Sequence, residues 1–561
     1  MNKNKILLCA SLSILSLSLT SCGLINLSDF TRARTNNDTK DTSDTSSYDE
    51  LTTTYEDLGN YYVDETPITD GINYKRLFYS MNSDVVPSVG DVNLLVIPVE
   101  FSDYTFSAAG YSSDEVLYND LNRVFNGTST DTGYFESVKS FYNKSSYGKL
   151  NLSFDIATKY SLNMTAKELY QKCFDSNGTL TSTTGSDYAL ECAVENYKSV
   201  NGEDSTKKYD SDSDGLIDAV MLIYSAPNSY DDIVFRDYSG DTDSDLYWAY
   251  CYWDTTNINN VVYKAGKNGN KTKEEYVASP VAGAYFWCSY DFIYSHSSCV
   301  VGGNVDSHTL VHEFGHLLGL KDYYSYDSDK TYSSVGSSDM MDGNIYDHDA
   351  YSKMTLGWVN PYIVTGNCTI TLEPSTTTPN CIILAPDYNG TVFDEYILIE
   401  FFTPDGLNYT DSHSNYSSSN TICNKLPGVK IYHIDSRIAK YKDKMWSLST
   451  DSTINYNKYS YDLAFSNSSS RTRILNSTPY DLIRVIHADK SLGLKNSSDY
   501  RLKDSHLFHK GDTFTLSCYS SFFANGSYMN SLKSLDYKVT INYCSSILDP
   551  TPQAVVNIET I

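Results

Sequence analysis

The chain has 561 residues, too many for one ordinary hydrophobic core, so two or three domains are expected. Its formal charge of −28 excludes nucleic acid as a partner, because phosphate binding needs concentrated positive charge and no segment supplies it. Fifty tyrosines against five tryptophans are a bias of composition that carries no functional reading.

At the N-terminus Lys3 and Lys5 precede an apolar run from Ile6 to Leu19, long enough for the core of a signal peptide and too short to span a bilayer. It ends in Leu19-Thr20-Ser21-Cys22-Gly23, which resembles a bacterial lipobox. That likeness implies cleavage after residue 21 and a lipid on Cys22, hence an exported chain anchored at the outer face of the cell membrane. Residues 22–60 are rich in Ser, Thr, Asn and Asp, and read as a flexible tether because they cannot bury enough surface to offset their ordering entropy. A lead-in segment, 61–85, follows. Of twelve cysteines, Cys9 and Cys22 fall in the signal and the anchor, leaving ten. None forms a Cys-x-x-Cys pair, which argues against a thiolate zinc site, and their pairing is not legible.

A domain of alternating strands and helices is expected over 86–360. The run Val92–Phe101 reads as a buried strand, 135–143 as a helix, Leu150–Phe154 as an alternating strand, 188–199 as a helix and Ala219–Tyr224 as a second buried strand. Between the last two lies a loop with Asp210, Asp212, Asp214 and Asp218 at positions 1, 3, 5 and 9, and Gly215 at position 6. With the Leu216 carbonyl at position 7, this is the spacing of a calcium loop. Met221 stands at position 12 in place of the usual glutamate and a strand follows, so the loop lies outside an EF-hand.

The segment from Ser307 to Asp322 carries the strongest signal. Leu310, Val311, Phe314, Leu317 and Leu318 form the buried stripe of a helix, with Asp306 or Ser307 placed to cap it. His312 and His316, four apart, project side by side and can hold one Zn²⁺. Glu313 is aimed at a water on the metal, as general base. Gly319 can end the helix at positive φ and swing Asp322 back as a third ligand, leaving one position open. His308, one turn earlier, reads as a surface or supporting group, because a fourth protein ligand would close the site. Tyr346 and His348 are candidates for a hydrogen bond to a developing oxyanion, and His433 reads as a packing histidine.

After Trp358 short alternating runs, Tyr396–Phe401, Val429–Ile434 and Tyr537–Tyr543, are separated by Asn/Ser/Gly-rich stretches. They predict a mostly β, sandwich-like region over 361–561.

His312-Glu313-x-x-His316-x-x-Gly319-x-x-Asp322 resembles the zinc signature of the immune inhibitor A family of bacterial metalloproteases, relatives of the metzincins. Leu94–Asp103, Ser145–Lys149 and Pro427–Asp435 also look like segments of that family. The resemblance implies an α/β metzincin-like catalytic domain and a methionine turn at Ser338–Gly343, with Met341 as the turn methionine and Met340 the alternative. It implies a zinc endopeptidase acting on proteins or peptides, and a structural calcium ion at the Asp210 loop. Lys321 and Tyr323 depart from the proline and acidic residue that often flank the family's aspartate. Two other functions fit the same residues: a catalytically silent surface-binding protein on this scaffold, and a cell-wall amidase.

Overall fold

The computed structural model describes residues 59–67, 86–172, 185–228, 245–326, 330–417, 421–442, 445–448, 460–464, 467 and 481–561. The signal segment, Cys22 and nearly all of the 22–60 tether lie outside these residues. Among the described residues no helix is long and apolar enough to cross a membrane.

The first region is a mixed sheet with helices on both faces. Strand Gly90–Glu100 pairs in parallel with Leu150–Ile156 on one side and Val220–Tyr224 on the other. Ala284–Ser289 follows in parallel, and Tyr250–Trp253 closes the edge in the antiparallel sense. A strand covered on both faces needs apolar side chains at every position, and Leu94–Val99, Val220–Tyr224 and Ala284–Cys288 have them, whereas the edge strand Leu150–Ile156 alternates buried and exposed. Leu94, Val96, Met221, Ile223 and Phe286 enter one core with helices Asp114–Asn126, Val138–Ser145 and His308–Leu317. Leu95, Ile97, Val220, Leu222 and Trp287 enter a second core against helices Ala166–Gln171 and Gly185–Asn201. The expected helix over 135–143 starts later, at Val138, because Ser137 and Ser140 form a capping box that fixes its first turn.

The second region is strand-rich. Tyr362–Val364, Ile382–Leu384, Glu395–Phe402, Gly428–Asp435 and Ile483–Ile486 form a six-stranded sheet together with Tyr61–Val63. The lead-in segment thus supplies an edge strand, paired antiparallel to Tyr362–Val364. A four-stranded sheet of Cys368–Leu372, Ala554–Thr560, Tyr537–Cys544 and Thr513–Phe514 faces it across a core that includes Ile382, Ile397, Ile399, Ile431, Ile541 and Val556. That is a sandwich. The opposite face of the six-stranded sheet is not solvated. Tyr396, Leu398, Phe402, Tyr432 and Ile434 pack into the same core as Leu310, Val311 and Phe314 of the His308–Leu317 helix. The chain therefore passes position 360 without leaving the hydrophobic interior.

Candidate metal centre

The His308–Leu317 helix forms because its apolar stripe, Leu310, Val311, Phe314 and Leu317, is fully buried. Of the two candidate caps Asp306 acts: its Oδ1 accepts the His308 N–H at 3.1 Å, while the Ser307 hydroxyl donates to the Glu136 carbonyl. Midway along the helix, Gly315 leaves room for a neighbour. A Cβ there would stand 2.5 Å from the Met341 sulfur, so the thioether lies directly against the turn between His312 and His316. Met340 serves the same turn through its backbone, its carbonyl 2.8 Å from His312 Nδ1.

Gly319 ends the helix with φ +106°. Its N–H bonds the His316 carbonyl, and the Leu320 N–H bonds the Gly315 carbonyl. This turn has two effects. It aims the Leu320 carbonyl at His316 Nδ1, 2.9 Å away, and it carries Asp322 back towards both rings. Asp322 Oδ1 lies 3.0 Å from His312 Nε2 and 3.2 Å from His316 Nε2, and the rings stand at 89° to each other. With each Nδ1–H given to a carbonyl, each Nε2 lone pair points at the centre. Two atoms about 2.0–2.1 Å from one tetrahedral ion stand roughly 3.3 Å apart. The observed separations match that figure, so His312, His316 and Asp322 can hold one metal ion. Burial opposes charge on Asp322, but when the rings also carry a proton on Nε2, His316 and His312 overcome it and hold the carboxyl well below its usual range. Its other oxygen accepts a hydrogen bond from the Tyr326 hydroxyl.

Glu313 is buried at 8% exposure beside the first histidine. Burial lifts its carboxyl above the usual range against the opposing pull of His312 and His316. The Cys251 thiol, on the edge strand Tyr250–Trp253, donates to the Glu313 carbonyl at 2.8 Å and fixes that strand beside the helix.

Three other sequence expectations concern histidines or their neighbours. His308 is not a surface group: it is fully buried, stacked on Phe135, with Nδ1 2.6 Å from Asp306 and Nε2 3.3 Å from Asp411. Burial disfavours its cation, yet the two carboxylates raise its pKa to about 9. The oxyanion candidates are engaged elsewhere. The Tyr346 hydroxyl accepts the N–H groups of Cys423 and Asn424, and the His348 ring packs among Phe141, Tyr142 and Trp358. His433 is a satisfied packing group, its Nε2 2.8 Å from Glu395.

The Asp210 loop gathers Asp210, Asp212 and Asp214, whose carboxylates lie close enough together to share an ion. Gly215, at φ +90°, turns the chain, and the Asp214 and Gly215 N–H groups bond Asp210. Asp218 takes the Ser211 N–H from across the loop. Leu216 enters the short strand Leu216–Ile217, paired with Val281–Ala282. Burial, with Asp212 as the nearest like charge, raises Asp214 to about 6. Asp218 rises to about 7, again by burial first and then by Asp212 and Asp210.

A further cluster, His487, Asp489 and His506, gave no sequence signal because its members come from separated turns. Its hydrogen bonds are already closed. The Ser491 hydroxyl sits 2.9 Å from His487 Nδ1, 2.7 Å from Asp489 and 3.4 Å from His506 Nε2. The Lys503 N–H bonds His506 Nδ1, which leaves the ring proton on Nε2 and no lone pair there for a metal. Nine cysteines, Cys192, Cys251, Cys288, Cys299, Cys368, Cys381, Cys423, Cys518 and Cys544, are free thiols among the described residues. Cys173 lies outside them.

No family model matches this chain, and no curated protein matches its sequence.

Proposed function

We propose that the chain is a zinc-dependent endopeptidase of the immune inhibitor A type, metzincin-like in its first region, exported and tethered to the membrane through a lipid on Cys22. The observation that carries this reading is the convergence of His312 Nε2, His316 Nε2 and Asp322 Oδ1 on one point beside the buried Glu313. A zinc ion held there supplies Lewis-acid polarisation of a peptide carbonyl and acidifies a water molecule. His312 and His316 act as neutral imidazoles, held in that tautomer by the carbonyls of Met340 and Leu320. Glu313 takes the proton of the attacking water and returns it to the leaving amine, and a carboxyl lifted by burial is suited to both halves of that cycle.

Cys251 holds the edge strand Tyr250–Trp253 against the metal-site helix at Glu313. The Asp210 loop binds calcium in a structural role, the cation neutralising carboxylates that otherwise repel one another.

The test is casein hydrolysis by the wild-type chain and by Glu313→Gln, each with measured zinc content. The variant should keep its zinc and lose about 10²–10⁴ in kcat, as expected for removal of a general base. Hydrolysis at the wild-type rate by a zinc-loaded variant contradicts the assignment. If the wild type cleaves peptidoglycan amides and leaves casein intact, the endopeptidase reading falls.

A further inference from the structure

The candidate metal centre is assembled from the His308–Leu317 helix, the turn after it that carries Asp322, and the strap from Asp339 to Asp347 that sets Met341 against the helix. The strap carries two residues in the left-handed region, Asn344 at φ +53° and Tyr346 at φ +68°. Tyrosine adopts that conformation only where its surroundings enforce it.

What enforces it comes from the second region. The short helix Tyr409–His413 carries Asp411, which is 1% exposed. One carboxylate oxygen, Oδ2, accepts the Tyr346 N–H at 2.7 Å, and the other, Oδ1, lies 3.3 Å from His308 Nε2. Asn408, one turn earlier, accepts the next strap N–H, that of Asp347, at 2.9 Å, while its own amide donates to the Thr403 carbonyl. A single side chain therefore touches the first residue of the metal-site helix and the strained residue of the strap. The ring of His308 is enclosed by Phe135, Tyr134 and Tyr416, with Asp306 on its other nitrogen. His296, stacked on Tyr134, is a further basic group that acts on it.

We propose that Asp411, through His308 and Tyr346, is a positioning residue by which the strand-rich region sets the metal-site helix against the Met341 strap. Asp411 is too far along the chain to be a local support, and it touches none of the three candidate ligands. Its effect passes through the backbone of Tyr346 and the imidazolium of His308. On this account the second region completes the metal centre, and the first region by itself holds the ligands in a looser geometry. The part of the test that concerns zinc rests on the function proposed above; the part that concerns geometry does not.

The experiment uses the full chain with Asp411→Asn, which keeps an acceptor for Tyr346 but removes the charge beside His308. Val556→Ala, in the sandwich core remote from the centre, serves as a destabilised control. Hydrogen exchange read by mass spectrometry should speed up about tenfold in peptides covering 308–317 and 344–349 of Asp411→Asn, with 428–435 unchanged. Val556→Ala should leave the first two segments at wild-type rates. Zinc affinity, by competition with a chromophoric chelator, should weaken severalfold, up to about 10-fold, in Asp411→Asn alone, at the low end of the effect of removing a group bonded directly to a ligand. Wild-type exchange in both segments of Asp411→Asn overturns the proposal, as does equal loosening by Val556→Ala. If the wild type binds no zinc while exchange responds as described, the positioning role stands and the zinc reading fails.

Discussion

The two acid-bearing sites of the first region balance their charge in opposite ways. At the His312, His316 and Asp322 centre, the protein supplies the complement itself: two rings face one carboxylate, and two backbone carbonyls fix the rings. At the Asp210 loop four carboxylates share a turn, and burial raises Asp214 and Asp218 to about 6 and about 7. On the function proposed, the first site is built before a metal arrives, and the second takes its neutral-pH stability from a cation. The difference lies in which partners the turn residues recruit, carbonyls and imidazoles in one case and further carboxylates in the other.

The largest expected effect breaks the first half of this comparison. His316→Ala removes one of three converging ligands, and zinc affinity read by chelator competition should fall by more than about 10³-fold. Retention of wild-type affinity would remove His316 from the centre. Next comes Gly315→Ala. The added methyl meets the Met341 sulfur at 2.5 Å, and the overpacking should cost about 1–3 kcal/mol, read as a lower melting temperature. An unchanged melt would mean that Met341 does not lie against the helix.

The buried His308 gives a pH signature of comparable size. Its pKa is raised in the fold to about 9 from the ordinary 6.5, so its stabilisation is complete below about 6.5 and is lost as pH rises through about 9. On the order of 3 kcal/mol is at stake from that shift. The wild type should lose several degrees more melting temperature over this window than His308→Gln does.

The smallest effect sharpens the second half of the comparison. Raised carboxyl pKa values act in the same sense: calcium-free stability is present at acid pH and falls as pH rises through about 6 to 7. Added Ca²⁺ should therefore raise the melting temperature by about 2–4 °C at pH 7 and by less at pH 5. Asp214→Asn should raise the calcium-free melt and abolish the response. A melt indifferent to Ca²⁺ at both pH values would leave the loop as an acidic turn.

How much of this was legible in the sequence depended on how local the geometry is. The placement of His312 and His316 follows from one helix pitch, so their spacing anticipated their meeting, while that of Asp322 rested on one glycine turn and on the family resemblance. The buried strands Gly90–Glu100 and Val220–Tyr224 announced themselves through the apolar runs Leu94–Val99 and Val220–Tyr224. Of the two readings of His308 the surface one failed, because its partner Asp411 lies on a different region of the chain, and helical spacing says nothing about what covers the opposite side of a turn. Tyr346 was misplaced for a related reason: its left-handed backbone aims the hydroxyl at Cys423 and Asn424, away from the metal. The joining of the two regions did leave a trace. In Glu395–Phe402 six of the eight positions are large and apolar, the pattern of a strand covered on both faces, whereas a sandwich strand with one wet face alternates. The three-residue strand Tyr61–Val63 left none, being too short to carry a period.

The central claim is the shared ion, and anomalous X-ray scattering at the zinc absorption edge tests it most directly. In crystals of the zinc-loaded chain one peak should lie about 2.0–2.2 Å from His312 Nε2, His316 Nε2 and Asp322 Oδ1. A zinc-loaded crystal without density there, or with its peak at the His487 and His506 cluster, would contradict the account.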